Sequence, residues 1–157
     1  VTGVQTCALP ICYLCAKILH LGRILALDVG RKRTGIAVSD PLKMIANGIT
    51  TVGTAQVEAF ITNYLKTESL EALVIGYPKQ MNNQPSEAVK YINPLINRLK
   101  KVFPEIPIHL ADERFTSVLA HRAMIEGGVK KKDRQNKALA DTISAAIILQ
   151  SFLDYKK

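Results

Sequence analysis

The sequence predicts an α/β fold in which a mixed five-stranded sheet is flanked by helices on both faces. Its 157 residues, 48% hydrophobic and 22% charged, are enough for one globular domain with its own core. Short apolar runs alternate with segments of helical periodicity along residues 23–157. The first two apolar runs are separated only by a short, glycine-flanked turn, which favours an antiparallel hairpin ahead of the alternating helices and strands.

Five runs rich in apolar or β-branched residues are the expected strands. The segment between the first two, VGRKRTG, is a tight basic turn with a glycine at each end. Asn47-Gly48 predicts a bulge or a turn within the third run. The fourth run, Leu70–Gly76, is almost continuously apolar, which is typical of a strand buried on both faces. The expected strands cover residues 23–28, 36–40, 45–52, 70–76 and 106–111.

Four segments have apolar residues at helical spacing. Pro94 lies inside the second segment and predicts a kink or an interrupted first turn there. Thr116 or Ser117 can cap the third, which Gly127-Gly128 ends. The expected helices cover residues 55–68, 85–102, 116–126 and 136–155. The resulting order of strands and helices matches the ribonuclease H-like architecture.

Residues 1–22 differ from the rest of the chain, because they hold all three cysteines and only one basic residue, with no acid. The uncharged start, the proline within the apolar stretch and the missing A-x-A site argue against a signal peptide. A lone Cys12-x-x-Cys15 pair argues against a metal or redox centre. The start VTGVQTCALPI resembles the translation of a sequencing-library adapter. We therefore expect residues 1–22 to be a non-native leader outside the fold, and residues 23–157 to form a single domain.

The chain is strongly basic, with 21 Lys and Arg against 13 Asp and Glu, a net charge of +8 and a pI near 9.5. A small domain with this charge often binds a polyanion. Residues 23–157 contain no cysteine, which fits a reducing compartment. No uninterrupted apolar stretch is long enough for a transmembrane helix.

Acidic residues follow predicted strands and recur early in the last predicted helix. Asp28 ends the first strand, Asp112 and Glu113 follow the fifth, and Asp141 lies in the first turns of the final helix. Ligands of α/β sheets collect beyond the carboxyl ends of the strands, so these carboxylates are expected to meet there. Clustered carboxylates repel each other and are stabilised by hard cations, which predicts a site for one or two Mg²⁺ or Mn²⁺ ions. The choice between Asp112 and Glu113 stays open, since neighbouring strand residues face opposite sides.

Basic residues are adjacent to these acids or to strand ends. This arrangement suits a nucleic-acid backbone lying across a metal site, since phosphate contacts provide affinity without reading the sequence. An ordinary solvated loop is the alternative for the basic run at 129–137. The residues predicted to contact nucleic acid are Lys32, Arg33, Lys79, Arg114, Lys130, Lys131, Lys132 and Arg134.

Four sequence blocks together resemble the signature of the YqgF/RuvX family. They are LALDVGRKRTGIAVSD, VIGYPKQMN, DERFTS and KALADTISAAIILQSFL, and they span nearly all of residues 23–157. The resemblance implies a cytoplasmic, ribonuclease H-like nuclease that matures the 5′ end of 16S ribosomal RNA; the family has also been regarded as a Holliday junction resolvase. It implies catalytic, metal-binding acids at Asp28, Glu113 and Asp141, and turn glycines at Gly30 and Gly35. The second block departs from the family pattern, since it contains G-Y-P where G-L-P is frequent.

The resulting hypothesis is a metal-dependent nuclease acting on pre-16S ribosomal RNA. Asp28, Glu113 and Asp141, with Asp112 as a further candidate ligand, would bind one or two Mg²⁺ or Mn²⁺ ions. Two alternatives remain: a Holliday junction resolvase that cuts branched DNA as a dimer, and a non-catalytic, nucleic-acid-binding factor of the pre-ribosomal particle. RNA and DNA present the same phosphates, so the sequence does not separate them. We expect a monomer or weak dimer without membrane contact.

Overall fold

The computed structural model describes residues 22–78, 87–112, 116–128 and 136–155, and the structural statements below concern these ranges. They contain five strands and four α-helices. The strands are β1 (Arg23–Val29), β2 (Arg33–Ser39), β3 (Ala46–Gly53), β4 (Leu70–Tyr77) and β5 (Ile108–Asp112). The helices are α1 (Val57–Tyr64), α2 (Val89–Val102), α3 (Thr116–Glu126) and α4 (Lys137–Tyr155), and a 3₁₀ turn, Thr54–Gln56, precedes α1.

The strands form one mixed sheet in the spatial order β3-β2-β1-β4-β5. Strands β1, β2 and β3 are antiparallel neighbours, whereas β1, β4 and β5 run parallel. The carboxyl ends of β1, β4 and β5 therefore lie along one edge of the sheet, which we call the carboxyl edge. The turn between β1 and β2 lies at this edge as well. The predicted mixed five-stranded sheet is confirmed.

The two faces of the sheet have separate apolar cores, because side chains alternate along each strand. Leu25 and Leu27 of β1 pack in the core that contains α1 and α2, whereas Ile24 and Ala26 pack in the core that contains α4. Strands β1 and β4 are buried on both faces, which explains their continuous apolar runs. Helices thus cover both faces, as predicted.

Within the described ranges, no helix has the length and apolar character needed to span a membrane.

All the predicted strands and helices are present, but β2 begins at Arg33 instead of at residue 36, and α2 begins at Val89 instead of at residue 85. The register between β2 and β3 shifts between Ile36 and Ala37, as the predicted bulge requires. Strand β5 begins after Pro107, which has no amide hydrogen and contributes only its carbonyl, to the Leu73 amide (2.9 Å). Helix α1 is shorter than predicted at both ends, since a 3₁₀ turn takes up its start and the helix ends at Tyr64 instead of at residue 68. Helix α2 continues through Pro94 as one element.

Helix α4 lies directly on β2 and β3 at two glycines. A methyl group at position 35 would overlap the carbonyl oxygen of Asp141. A methyl group at position 48 would lie 2.6 Å from Cγ2 of Thr142. Because glycine has no Cβ, Gly35 and Gly48 allow the helix backbone to approach the sheet this closely.

Hydrogen bonds fix α4 to β3 and the loop before it at both ends of the helix. The Thr51 hydroxyl donates to the Ala138 carbonyl (2.7 Å) and lies 2.8 Å from the Thr142 hydroxyl. Near the other end, the Gln150 side chain accepts from the Ala46 amide (3.0 Å) and donates to the Met44 carbonyl (3.2 Å). The amino-terminal turns of α4 are therefore held at the carboxyl edge.

The loop between β2 and β3, at the opposite edge of the sheet, is organised by the carboxylate of Asp40. Its oxygens accept hydrogen bonds from the backbone amides of Leu42 (3.1 Å), Met44 (2.6 Å) and Ile45 (2.8 Å). These bonds, led by the one from Ile45, outweigh the opposing effect of desolvation and hold the pKa of Asp40 below its usual value.

We expect Gly35→Ala to lower the free energy of unfolding by about 1–3 kcal/mol, the usual cost of overpacking, because the new methyl group must displace the α4 backbone. Gly53→Ala is the matched control, since the three atoms nearest to a methyl group there would all belong to the flexible Gln56 side chain, the nearest at 3.4 Å. Urea unfolding of both variants measures the difference. Wild-type stability in Gly35→Ala would contradict the close contact.

The lowered pKa of Asp40 also makes a pH-dependent prediction. A carboxyl whose folded-state pKa lies below its ordinary 3.8 contributes stability above the unfolded pKa and loses it as the pH falls through the folded value. The advantage of the wild type over Asp40→Asn should therefore shrink between about pH 5 and about pH 2. Urea unfolding at a series of pH values tests this, and a constant difference would refute it.

Candidate active site

Asp28, Gly35 and Thr51 form a row across three adjacent strands. Asp28 of β1 is paired with Gly35 of β2, which is paired in turn with Thr51 of β3. Directly paired residues share a face of the sheet. Asp28 is two residues along β1 from Ala26, which packs in the core containing α4. The row therefore lies on the α4 face, and Asp28 is one residue from the end of β1.

Asp141 of α4 lies over this row. Its backbone contacts Gly35, the residue paired with Asp28, and the next residue, Thr142, is within hydrogen-bond distance of Thr51. Asp28 and Asp141 are both partly buried. The structure thus places two of the predicted acids, one from a strand and one from a helix, on the same face and at the same edge of the sheet.

Arg33, the first residue of β2, is the charged partner of Asp141. The Arg33 Nε atom lies 3.4 Å from Oδ2 of Asp141. Partial burial raises the pKa of Asp141 above its usual value, and the positive charges of Arg33 and Lys137 oppose this rise. Further positive charge at this carboxyl would therefore stabilise its ionised form.

The turn between β1 and β2 exposes Arg31, Lys32 and Arg33 at the carboxyl edge. Its backbone is fixed by hydrogen bonds: the Gly30 amide donates to the Arg33 carbonyl (2.9 Å), and the Thr54 amide donates to the Lys32 carbonyl (3.2 Å). The Thr54 hydroxyl donates to the Gly30 carbonyl (2.7 Å). The turn therefore holds Arg31 and Lys32 in solvent and Arg33 beside Asp141, on a backbone that hydrogen bonds fix in place.

The two predicted turn glycines have different roles. Gly30 belongs to the turn, where a methyl group would lie 2.6 Å from the Arg33 carbonyl oxygen. The prediction of a turn role for Gly35 is corrected, because β2 begins at Arg33 and Gly35 lies inside the strand. Its missing side chain makes room for the backbone of α4.

Strand β5 ends at the same edge of the sheet. Asp112 is its last residue and is paired with Tyr77 of β4. Tyr77 packs against the core of α1 and α2, whereas Ala111 packs against the core of α4. Asp112 therefore occupies a register position on the face opposite to that of Asp28.

Seven of the predicted site residues lie outside the described residues, and their roles stay predictions. They are Lys79, Glu113, Arg114, Lys130, Lys131, Lys132 and Arg134.

The described donors suit a hard divalent cation. Asp28 and Asp141 supply carboxylate oxygens, the ligands that Mg²⁺ and Mn²⁺ prefer, and Mg²⁺ is commonly held by one or two carboxylates with water and substrate phosphate. In the part of the chain that the structure describes, no group of three His, Cys, Asp or Glu side chains is placed to hold a metal. The described site therefore offers two carboxylates, which are donors of the type that such an ion prefers.

The threonines around this site were missed by sequence reasoning. Thr51 fixes the start of α4, and the hydroxyls of Thr34 and Thr54 lie 3.1 Å apart beside the basic turn. Thr34 is fully buried. The β-branched side chain of Thr51 indicated only a strand, because its hydrogen-bond partners lie 87 and 91 residues away along the chain. The small residues flanking Asp141 were the signal for the close approach of α4.

The chain is similar in sequence to one known protein family and to several named bacterial proteins. The RuvX family, described as Holliday junction resolvase, matches residues 22–155. A Bacteroides fragilis protein named "Putative pre-16S rRNA nuclease" is 62% identical over 137 residues, which is 87% of this chain and 99% of that protein. Proteins of the same name from Phocaeicola vulgatus (60% over 137 residues, 87% and 99%) and Porphyromonas gingivalis (52% over 134 residues, 85% and 97%) are also similar.

A solved structure shows the same fold. The structure titled "T. thermophilus RuvC in complex with Holliday junction substrate" is similar with a TM-score of 0.52 and 16% identity, over 86% of this chain and 96% of that chain. This likeness confirms the predicted ribonuclease H-like architecture. Family membership depends on the match across residues 22–155 and on identities above 50% over nearly the full length of the relatives. On these grounds, the chain belongs to the RuvX family.

Proposed function

We propose that the chain is a nuclease that hydrolyses phosphodiester bonds in the 5′-end maturation of pre-16S ribosomal RNA in the cytoplasm. One observation carries the proposal: Asp28 and Asp141 share a face at the sheet edge where the Gly30–Arg33 turn exposes three basic side chains. Carboxylates that suit a metal, next to cations that suit phosphate, are the groups that phosphodiester hydrolysis uses. The names of the relatives support the choice of RNA.

Asp28 and Asp141 would hold Mg²⁺ or Mn²⁺ in this proposal. Such an ion supplies Lewis-acid stabilisation of the charge that develops on the phosphate. The two carboxylates come from different elements, so the packing of α4 on β2 sets their relative position. Partial burial keeps some water away from Asp141, which strengthens its electrostatic interactions.

Glu113 is the better candidate than Asp112 for a third carboxylate. Ala111 packs on the α4 face, and alternate positions of a strand share a face. Asp112 is paired with Tyr77, which packs on the other face, and Glu113 lies outside the described residues. The register of β5 therefore disfavours Asp112, and the choice of Glu113 follows from the family resemblance.

The basic turn would bind the nucleic-acid backbone rather than the bases. Arg31 and Lys32 are exposed at the carboxyl edge, and the Lys32 carbonyl accepts from the amide of Thr54, the residue that follows β3. Lysine and arginine contacts to phosphate position a nucleic acid without reading its sequence. Selection of pre-16S RNA, and any contact with the pre-ribosomal particle, would then depend on RNA shape or on contacts elsewhere.

A Holliday junction resolvase is the second candidate, because the description of the matching family names that activity. The same carboxylates and basic turn would serve either substrate, since both present phosphodiesters. Symmetric cutting of a junction needs two active sites, so this alternative requires a dimer. A strictly monomeric chain would favour the RNA assignment.

We expect Asp28→Asn and Asp141→Asn each to reduce cleavage by at least about 100-fold, the scale on which loss of a positioned catalytic group acts. RNA binding should persist or tighten, because each change removes a negative charge beside phosphate. Asp154→Asn is the matched control, since Asp154 lies near the other end of α4. Gel assays of cleavage and anisotropy measurements of binding report the two effects, and retained cleavage in both site variants would refute the assignment.

The substrate choice has its own test. The full chain, stripped of metal, is incubated with a 5′-extended 16S precursor RNA and with a four-way DNA junction, each with and without Mn²⁺. We expect Mn²⁺-dependent cutting of the RNA. Cutting of the junction alone would select the resolvase. Intact binding without any cutting would select a non-catalytic assembly factor.

A further inference from the structure

The contact between Arg33 and Asp141 joins the two halves of the proposed site. Arg33 belongs to the basic turn, which is suited to phosphate, and Asp141 is one of the carboxylates suited to metal. Their side chains meet at 3.4 Å, Nε to Oδ2, and are 46% and 32% exposed. The pair is therefore open enough to solvent to exchange partners, which a fully buried pair is not.

The backbone of Arg33 cannot follow its side chain if the side chain moves. Arg33 is paired with Gly53 of β3, and its carbonyl accepts the Gly30 amide at 2.9 Å. Any change of partner at position 33 is therefore a side-chain rotation. A guanidinium fixed in this way at the carboxyl edge can reach either a carboxylate or a phosphate, both of which match its planar set of donors.

A guanidinium and a divalent cation compete for the same carboxylate. Both are attracted to the oxygens of Asp141, and their positive charges repel each other. Lys137, one helical turn earlier in α4, adds a further positive charge beside Asp141. The arrival of a divalent ion would therefore favour departure of the nearby guanidinium, which is the partner on an adjustable side chain.

We propose that Arg33 is an exchangeable counter-ion. It pairs with Asp141 before the metal binds, and metal binding releases it to pair with a substrate phosphate. This inference rests on the proposed function, because it takes Asp141 as a metal ligand. It makes Arg33 a positioning residue whose effect on metal binding is competitive. A residue that only supported the fold of the site would have the opposite effect, since its loss would weaken metal binding.

The sign of the change in metal affinity tests the proposal. Isothermal titration of the full, metal-free chain with Mn²⁺ should show Arg33→Gln binding about two- to five-fold more tightly than the wild type, the range expected for loss of one partly exposed ion pair. Arg33→Lys, which keeps the charge, should stay close to the wild type. Unchanged or weaker Mn²⁺ binding by Arg33→Gln would overturn the proposal.

Lys32→Gln is the matched control for general electrostatics. It removes the same charge from the same turn, and Lys32 is exposed without an ion pair to Asp141 among the described contacts. Salt screens a charge that is exposed to solvent more than one in direct contact with a carboxylate, so this variant should change Mn²⁺ affinity less than Arg33→Gln does. An equal gain in both variants would mean that only net charge matters, and would overturn the exchange.

The release to phosphate is tested by RNA binding. Anisotropy with an RNA oligonucleotide should show Arg33→Gln weakening binding more with Mn²⁺ than without it, because the metal frees Arg33 in the wild type. Equal weakening in both conditions would contradict the release.

Failure of the exchange can be told apart from failure of the proposed function. Asp141→Asn should weaken Mn²⁺ binding strongly if Asp141 is a ligand. Wild-type Mn²⁺ affinity in that variant would show that Asp141 is not a metal ligand, which would refute both the proposed metal site and the exchange. Loss of affinity in Asp141→Asn, without a gain in Arg33→Gln, would remove the exchange alone and leave the nuclease assignment standing.

Discussion

The contact between the backbone of α4 and Gly35 of β2 is the constraint on which the candidate site depends. Gly35 is paired with Asp28, and its missing side chain is what lets Asp141 come down onto the sheet. Gly48 and Thr51 extend the same contact across β3. A pair of acids that are 113 positions apart in the sequence thus becomes one site through the fit between a helix and a strand.

The negative charge of Asp141 is offset by the positive charge of Arg33, which lies beside it. Partial burial disfavours the ionised form of Asp141, and Arg33 compensates for this from the adjacent strand. The turn that carries Arg33 also carries the exposed Lys32, and its backbone is tied to the sheet by Thr54. A rigid backbone with solvated cations beside partly buried carboxylates suits a substrate that is itself a polyanion and that binds together with a metal.

The architecture could be predicted from the sequence because local patterns of apolar and turn residues determine it. The continuous apolar run of β4 and the short basic turn after β1 predicted a mixed sheet, which the structure confirms, whereas the spatial order of the strands comes from the structure. The role of Gly35 could not be obtained in this way, since nothing in RTGIA shows that a helix carrying Asp141 will lie against it. The hydrogen bonds of Thr51 were invisible for the same reason: their partners are distant along the chain.

A crystal structure of the full chain grown with Mn²⁺, with anomalous scattering measured at the manganese edge, tests the central claim most directly. The account predicts an anomalous peak within coordination distance of carboxylate oxygens from both Asp28 and Asp141. A peak bound by only one of these residues, or found only elsewhere on the protein, would contradict a metal site shared between β1 and α4.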